Sequence, residues 1–411
     1  MMHAPRLCAA LAMVVSLAAC VSQTITTNEI PRVETPSAPV AEQQLLDVGI
    51  AIFDPGIDDY EEGEQTYPEV RKAEARYMPF LLSEAMQESG AWGAVRVVPN
   101  PEQINDLVVS GKILHSDGEE LQLHIRAVDS LGQVWLDKDY TGVASRYAYQ
   151  VTKRNDFDPF QAVYNTIAND LLQQQEQQSL AQREKIRLVT ELRFARSFAP
   201  EAFDGYLAES DKGRYEVLRL PAEGDPMLER VTSIRERDQM FIDTLQEYYR
   251  SFGDQMQVPY DDWRKESYKS AVALQELQDE SRNQIIAGAL AVIAGIYGTG
   301  ECDNRNEACR AASGVSIIGG GYLLKSGLEK RNETQIYVAE LEELGMSLEA
   351  EITPSVIELE DRSVTLSGNV EDQYAQWREL LADIYAAEVG ALELPAGSAP
   401  PTAAIDTINQ H

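Results

Sequence analysis

Between Asp106 and Tyr140 the chain alternates apolar and polar residues, broken twice by short turn-forming segments, Asp117-Gly118 and Ser130-Leu131-Gly132. Alternation with period two sends neighbouring side chains to opposite faces, and turns this short leave no room for a crossover. The pattern therefore predicts three consecutive antiparallel strands over 106–115, 121–128 and 134–140, with one apolar face that needs a cover. The flanking segments supply it. LLDVGIAIFD (45–54) is apolar and β-branched and ends at Asp54-Pro55-Gly56, as a buried strand would. Pro68 opens a helix to about Glu88, with Val70, Ala73, Tyr77, Phe80, Leu81 and Ala85 at helical spacing and Gly90 as its stop. A short strand follows at 95–98. A second amphipathic helix begins near Asp158, with Phe160, Val163, Ile167 and Leu171 on one stripe. The order β-α-β-β-β-β-α over 45–180 predicts an α+β domain, a mixed and largely antiparallel sheet with helices on one face.

Beyond this domain the chain changes character. Residues 181–284 are charged and helical by periodicity, punctuated by Pro200, Pro221, Pro226 and Pro259. Residues 285–328 are apolar and glycine-rich. IIAGALAVIAGIYGTG (285–300) carries no charge, and AASGVSIIGGGYLLKSGL (311–328) carries only Lys325. Ala287, Ala291 and Gly295 recur every four residues, as do Ala312, Ser316 and Gly320. That spacing puts small side chains on one helical face and lets two backbones approach closely. The pair predicts a helical hairpin that resembles the glycine-zipper segments of envelope proteins. Each arm sits at the short edge of membrane-spanning length, so three fates stay open: a soluble helical core, insertion in a bilayer, or packing against further copies. Residues 329–393 continue as a charged helix, and then from Pro354 as a small α+β unit. In that unit a hairpin (356–361 and 363–368) precedes a helix with Tyr374, Trp377, Leu381 and Ile384 inward. The tail 394–411 is disordered by composition.

The amino terminus carries the address. Met1–Arg6 is a short segment with one positive charge, Leu7–Leu17 is an apolar core too short for a permanent span, and Leu17-Ala18-Ala19-Cys20 follows. These four residues resemble the bacterial lipobox. The resemblance implies cleavage before Cys20, acylation of its thiol, and anchorage in a lipid bilayer through that residue. Val21, rather than Asp, implies the outer-membrane class. Several acyl chains on one cysteine exceed what stable anchoring needs. Residues 20–44, rich in Thr, Ser, Pro and Gln without a period, then read as a flexible tether. Of the remaining cysteines, Cys8 leaves with the signal. Cys302 and Cys309, with six residues between them in the loop between the apolar arms, suit a local disulfide in an oxidising compartment; a zinc pair would want two more ligands, and no histidine is near.

Charge narrows the partners. Lys+Arg of 35 against Asp+Glu of 67 gives −32, and losing Arg6 with the signal makes it −33. Such a field repels nucleic acid and anionic lipid headgroups and points instead to proteins, cations or neutral glycans, with proteins of the cell envelope and copies of the chain itself as the expected partners. The opening strand VGIAIFD, the helix end ESGAWGAVRVVP and the run DLVVSGKILHSDGEELQLHIRAVDSLGQVWLDKDY resemble a periplasmic domain type. It is found in the curli-secretion channel lipoprotein and in the amino-terminal domain of the Tol-system propeller protein. The resemblance implies the α+β fold and carries no catalytic signature.

Chemistry is sparse. His115 and His124 flank a hairpin and read as polar strand residues. The loop with Asp54, Asp58, Asp59, Glu61 and Glu62 has the oxygens calcium prefers but not the spacing of a calcium loop. No nucleophile elbow or phosphate-binding loop occurs, and no metal or cofactor is expected. The sequence thus points to a non-catalytic outer-membrane lipoprotein, facing the periplasm, that scaffolds or assembles an envelope complex. The alternatives are an oligomeric channel or translocation component that inserts residues 285–328, and an envelope hydrolase.

Overall fold

A computed structural model describes residues 22–26, 30–38, 40–57, 67–145, 147–149, 157–297, 343, 355–358 and 363–393. The protein is α+β. A six-stranded mixed sheet has the order β1-β6-β5-β4-β2-β3, built from β1 (Ser22–Thr26), β2 (Val48–Ala51), β3 (Val95–Val98), β4 (Leu107–Ser116), β5 (Glu120–Asp129) and β6 (Val134–Val143). β4, β5 and β6 form the antiparallel meander; β2 lies parallel to β4 and β3, and β1 lies parallel to β6.

The alternation in β5 decides which face is core. Leu121, Leu123, Ile125 and Ala127 are fully buried, whereas the intervening His124 and Arg126 are half-buried and exposed. On the buried face lie α1 (Pro68–Glu88) and α2 (Gln161–Glu176). The face with His124 and Arg126 is polar, which suits an antiparallel sheet wetted on one side. α3 (Leu180–Phe198) covers the end of the sheet where β4 and β6 begin. Its Ile186 carbonyl accepts from Ser130 Oγ at 2.6 Å, and Arg193 donates to the Ser130 carbonyl at 3.1 Å.

Three features differ from the sequence expectations. The expected tether is partly docked. Ser22–Thr26 pairs with Asp139–Val143 as edge strand β1, with Ile25 buried and Gln23 accepting from Lys138. Residues 30–38 then run along α2, where Asn165 and Asn169 donate to the carbonyls of Pro31 and Arg32, and Glu176 accepts from Ser37 N. A polar segment without a period has no fold of its own, yet it supplies hydrogen-bond partners to the otherwise open edge of β6 and the flank of α2.

The second difference is the long helix. The charged region that Pro259 punctuates and the first apolar arm, expected as separate regions, are one element, α4 (Pro226–Tyr297), 72 residues long. Proline costs an interior helix about 3 kcal/mol. Here the turns on both sides are held by an unbroken buried stripe: Ile234, Asp238, Phe241, Leu245, Tyr249, Phe252, Met256, Tyr260 and Trp263. Burial of several large side chains, each worth about 1.5–3 kcal/mol, outweighs the proline. The same helix passes from the charged region into the apolar one at 284–285 without a break.

Third, a short helical turn, Pro200–Phe203, and a small hairpin interrupt the expected helical region. The hairpin strands are β7 (Leu207–Glu209) and β8 (Tyr215–Val217), with Gly213 at φ 68° between them. The carboxy-terminal unit is as expected: hairpin β9 (Ser355–Glu358) and β10 (Ser363–Leu366), then α5 (Val370–Glu393). α5 packs antiparallel to the start of α4. Trp377 stacks on Phe241 at 4.9 Å, and Glu388 accepts from Arg237 at 2.9 Å.

Candidate functional site: the seat of the long helix

The densest polar chemistry among the described residues lies where α4 crosses the α+β domain. It begins at β3, an edge strand whose Val95 and Val97 turn backbone groups away from β2. Such groups need partners or they recruit another chain. The side-chain amide of Gln246 on α4 acts as a substitute strand: it accepts from Val97 N at 2.8 Å and donates to Val97 O at 2.9 Å. Gln87 of α1 donates to Val95 O at 3.0 Å. One turn before Gln246, Asp243 takes a two-pronged ion pair from Arg96, at 2.6 and 3.0 Å. A planar guanidinium facing a carboxylate fixes both distance and angle.

Beside this contact is a polar-lined groove of about 430 Å³ between α1, β3 and α4, bordered by Glu84, Arg96, Glu247 and Arg250. Burial, and then the neighbouring charge of Asp254, raise the Glu84 carboxyl above its usual range. The lining holds both carboxylates and guanidinium groups, among them the ion pairs Arg96–Asp243 and Arg250–Glu247.

Further along α4 the contact becomes a buried charged network. Arg264 is fully buried and ion-paired to Asp158 at 2.7 Å. Its Nη2 donates to Tyr260 Oη at 2.9 Å; Tyr260 in turn donates to Glu74 Oε1 at 2.5 Å, and Ser116 Oγ donates to the same oxygen at 2.6 Å. The guanidinium lies over the rings of Tyr260 and Phe160, at 3.9 and 4.9 Å. Burial works against the Arg264 charge, but Asp158 and the surrounding phenol oxygens more than restore it, so the group stays cationic. Burial pushes the Tyr260 phenol far above its usual range, so it keeps its proton and can donate.

The β4–β5 turn closes the seat. A Cβ on Gly118 would lie 2.0 Å from the Arg264 carbonyl and 2.2 Å from Tyr268 N, so only glycine lets helix and turn touch. Tyr149 donates to the Gly118 carbonyl and packs on Tyr268.

The residues singled out by sequence lie elsewhere. Ala287, Ala291 and Gly295 fall on the last turns of α4, where a four-residue spacing puts them on one face. Cys20, Cys302, Cys309, Ala312, Ser316 and Gly320 lie outside the described residues, as do Asp58, Asp59, Glu61 and Glu62. Asp54 accepts from Gly56 N at 2.8 Å and faces Lys112 at 3.7 Å. His115 and His124 share the polar face but have separate partners. His115 meets Asp117 at 3.1 Å; His124 bridges Asp139 at 2.7 Å and Asp137 at 3.3 Å. Among the described residues no group of three or more His, Cys, Asp or Glu is placed to hold a metal ion.

Sequence reasoning missed Glu74, Asp158, Gln246 and Arg264. Glu74 had a signal: with Val70, Tyr77 and Leu81 it completes a heptad-like stripe, an acid on the face meant for the core. Arg264, one turn after Tyr260 and next to Trp263, had a weaker one. Compared with protein-family models, with curated proteins and with solved structures, the chain matches none.

Proposed function

We propose that this protein is a non-catalytic outer-membrane lipoprotein that faces the periplasm and acts as a scaffold or assembly factor of a cell-envelope complex. The observation that supports it most directly is α4: a helix of 72 residues, about 110 Å if straight, seated on the rest of the protein by buried side chains from Val231 to Arg264 and by Tyr268. A helix about three times as long as the longest strands of the sheet has a shape suited to spacing and joining rather than to enclosing a substrate. Leu17-Ala18-Ala19-Cys20 supports the anchor, the net charge of −32 favours protein partners over nucleic acid, and the small-residue spacing of Ala287, Ala291 and Gly295 suits helix-on-helix association.

Fractionation tests this reading. The wild-type chain is expected in the outer-membrane fraction with an acyl-modified Cys20 found by mass spectrometry, and Cys20→Ser is expected in the soluble periplasmic fraction. A wild-type chain that is soluble and unmodified would overturn the proposal.

A further inference from the structure

The arm at residues 22–38 is held by groups that read its backbone. Asn169 of α2 clamps it with both ends of one amide: the oxygen accepts from Glu34 N at 2.8 Å and the nitrogen donates to the Arg32 carbonyl at 2.9 Å. One turn earlier Asn165 donates to the Pro31 carbonyl at 2.8 Å, and two turns later Glu176 accepts from Ser37 N at 2.8 Å. Spacings of four and seven residues put these three side chains on one stripe of α2. The stripe is about 16 Å long, and extended chain from Pro31 to Ser37 covers about 19 Å, so arm and helix stay in register. Pro31 and Pro36 favour that extended form and stand where no backbone N–H is needed. Because the bonded groups belong to the backbone, the stripe selects an extended polypeptide rather than a particular run of side chains. The edge of β6 continues the same surface. It pairs in parallel with Ser22–Thr26, and Lys138, held by Asp170 of α2, donates to Gln23.

We propose that the α2 stripe and the β6 edge form a receptor for an extended arm, and that residues 22–38 of a second copy occupy it by exchange, joining copies of this protein in pairs. No turn ties β1 to β6: the two strands are more than a hundred residues apart, so their pairing does not distinguish one copy's arm from another's. Little apolar surface holds the arm in place. Among its residues whose burial is described only Ile25 is buried, Val33 is half-buried, and Arg32, Glu34, Thr35 and Ser37 are exposed. The domain keeps its own grip on the chain beyond the arm, where Arg187 of α3 donates to the carbonyls of Gln43 and Leu45 at 2.8 and 3.2 Å. An arm that leaves its site therefore leaves β2 in place. Charge permits the encounter as well. The arm carries Glu29 and Glu34 against Arg32 in a chain of −32, so it meets a second acidic copy with little of the repulsion that opposes contact between whole domains. Reciprocal exchange fills both receptors and closes the pair about a two-fold axis. The inference uses the α+β domain alone and does not depend on the anchorage proposed above.

Cross-linking between differently tagged copies tests the exchange. Thr35 and Gln173 lie at one level of the contact, between the bonds to Asn169 and Glu176, and both are exposed. In the full chain with its four native cysteines replaced by serine, one copy carries Thr35→Cys and the other Gln173→Cys. The two are coexpressed, purified in mild detergent and treated with a short bismaleimide. The expected product is a covalent dimer bearing both tags, several-fold more abundant than from Thr35→Cys paired with Ser251→Cys, an exposed position on α4. No excess over that control, with efficient linkage inside a single chain that carries both Thr35→Cys and Gln173→Cys, would show that each arm stays on its own copy and overturn the proposal. A labelled peptide of residues 22–38 gives a second measurement. The full chain whose own arm carries Ile25→Asp and Val33→Asp should bind it several-fold more tightly than wild type, and Asn169→Ala should remove that gain. Equal binding by the wild-type and released-arm chains would also sink the receptor.

Discussion

Asp158→Asn should loosen the whole seat of α4 by removing one negative charge. Asp158 Oδ2 lies 2.7 Å from Arg264 Nη1, and the two side chains are 7% and 0% exposed. Asp158 Oδ1 also accepts from Phe160 N at 2.8 Å, and asparagine keeps that bond. The substitution thus leaves the turn intact and strands a guanidinium with no water to solvate it. Removing one partner of a buried ion pair costs about 3–5 kcal/mol. Arg264→Met, which keeps the apolar stem, strands Asp158 instead and should cost a similar amount. The double variant leaves no orphaned charge, so it should cost no more than either single variant, a coupling of about 3 kcal/mol. Urea unfolding of the full chain in mild detergent, followed by tryptophan fluorescence, measures this; Trp263 adjoins the network. Costs below about 1 kcal/mol, or single costs that simply add in the double variant, would refute the claim that this pair holds the helix to the domain.

Two further predictions follow from the same contacts. Gln246→Leu removes both partners of Val97 N and O, and should cost about 2–4 kcal/mol and promote association through the uncovered β3 edge; light scattering that shows unchanged mass with unchanged stability would contradict the capping role. Burial raises the Asp238 carboxyl from 3.8 to about 6. The folded state therefore binds that proton more tightly than the unfolded chain, so its contribution is fully present below about pH 4 and lost as pH rises through 6, on the order of 3 kcal/mol. Asp238→Asn should flatten stability across that window relative to wild type, and parallel pH curves for the two proteins would rule this out.

Much of the architecture was legible in local pattern. The meander, α1 from Pro68 to Glu88 and the carboxy-terminal hairpin and helix each follow from a period or a breaker a few residues away, because strand alternation, helical stripes and turn residues act over short distances. The segment 22–38 was read wrongly for the complementary reason. SQTIT becomes a strand only because the edge of β6 lies open beside it, and that edge is brought there by residues more than a hundred positions away. Pro259 shows the same limit: a local rule disfavours a helix through it, and the stripe from Ile234 to Trp263, packed on α1, α3, β3 and α5, overrides that rule.

The candidate site was mostly illegible. Gln246 has the composition of a surface residue until β3 presents Val97 to it, and Arg264 and Asp158, 106 positions apart, become a pair only when α4 crosses the start of α2. The sequence alone determined the kinds of elements, the acidic field, the lipobox-like segment ending at Cys20 and the small-residue spacing at Ala287, Ala291 and Gly295. Tertiary structure alone decided that α4 is one helix and which polar groups root it. The division has a physical cause. Backbone periodicity is written residue by residue, whereas the partner of a buried charge, or of a strand edge, is whatever the completed fold brings beside it.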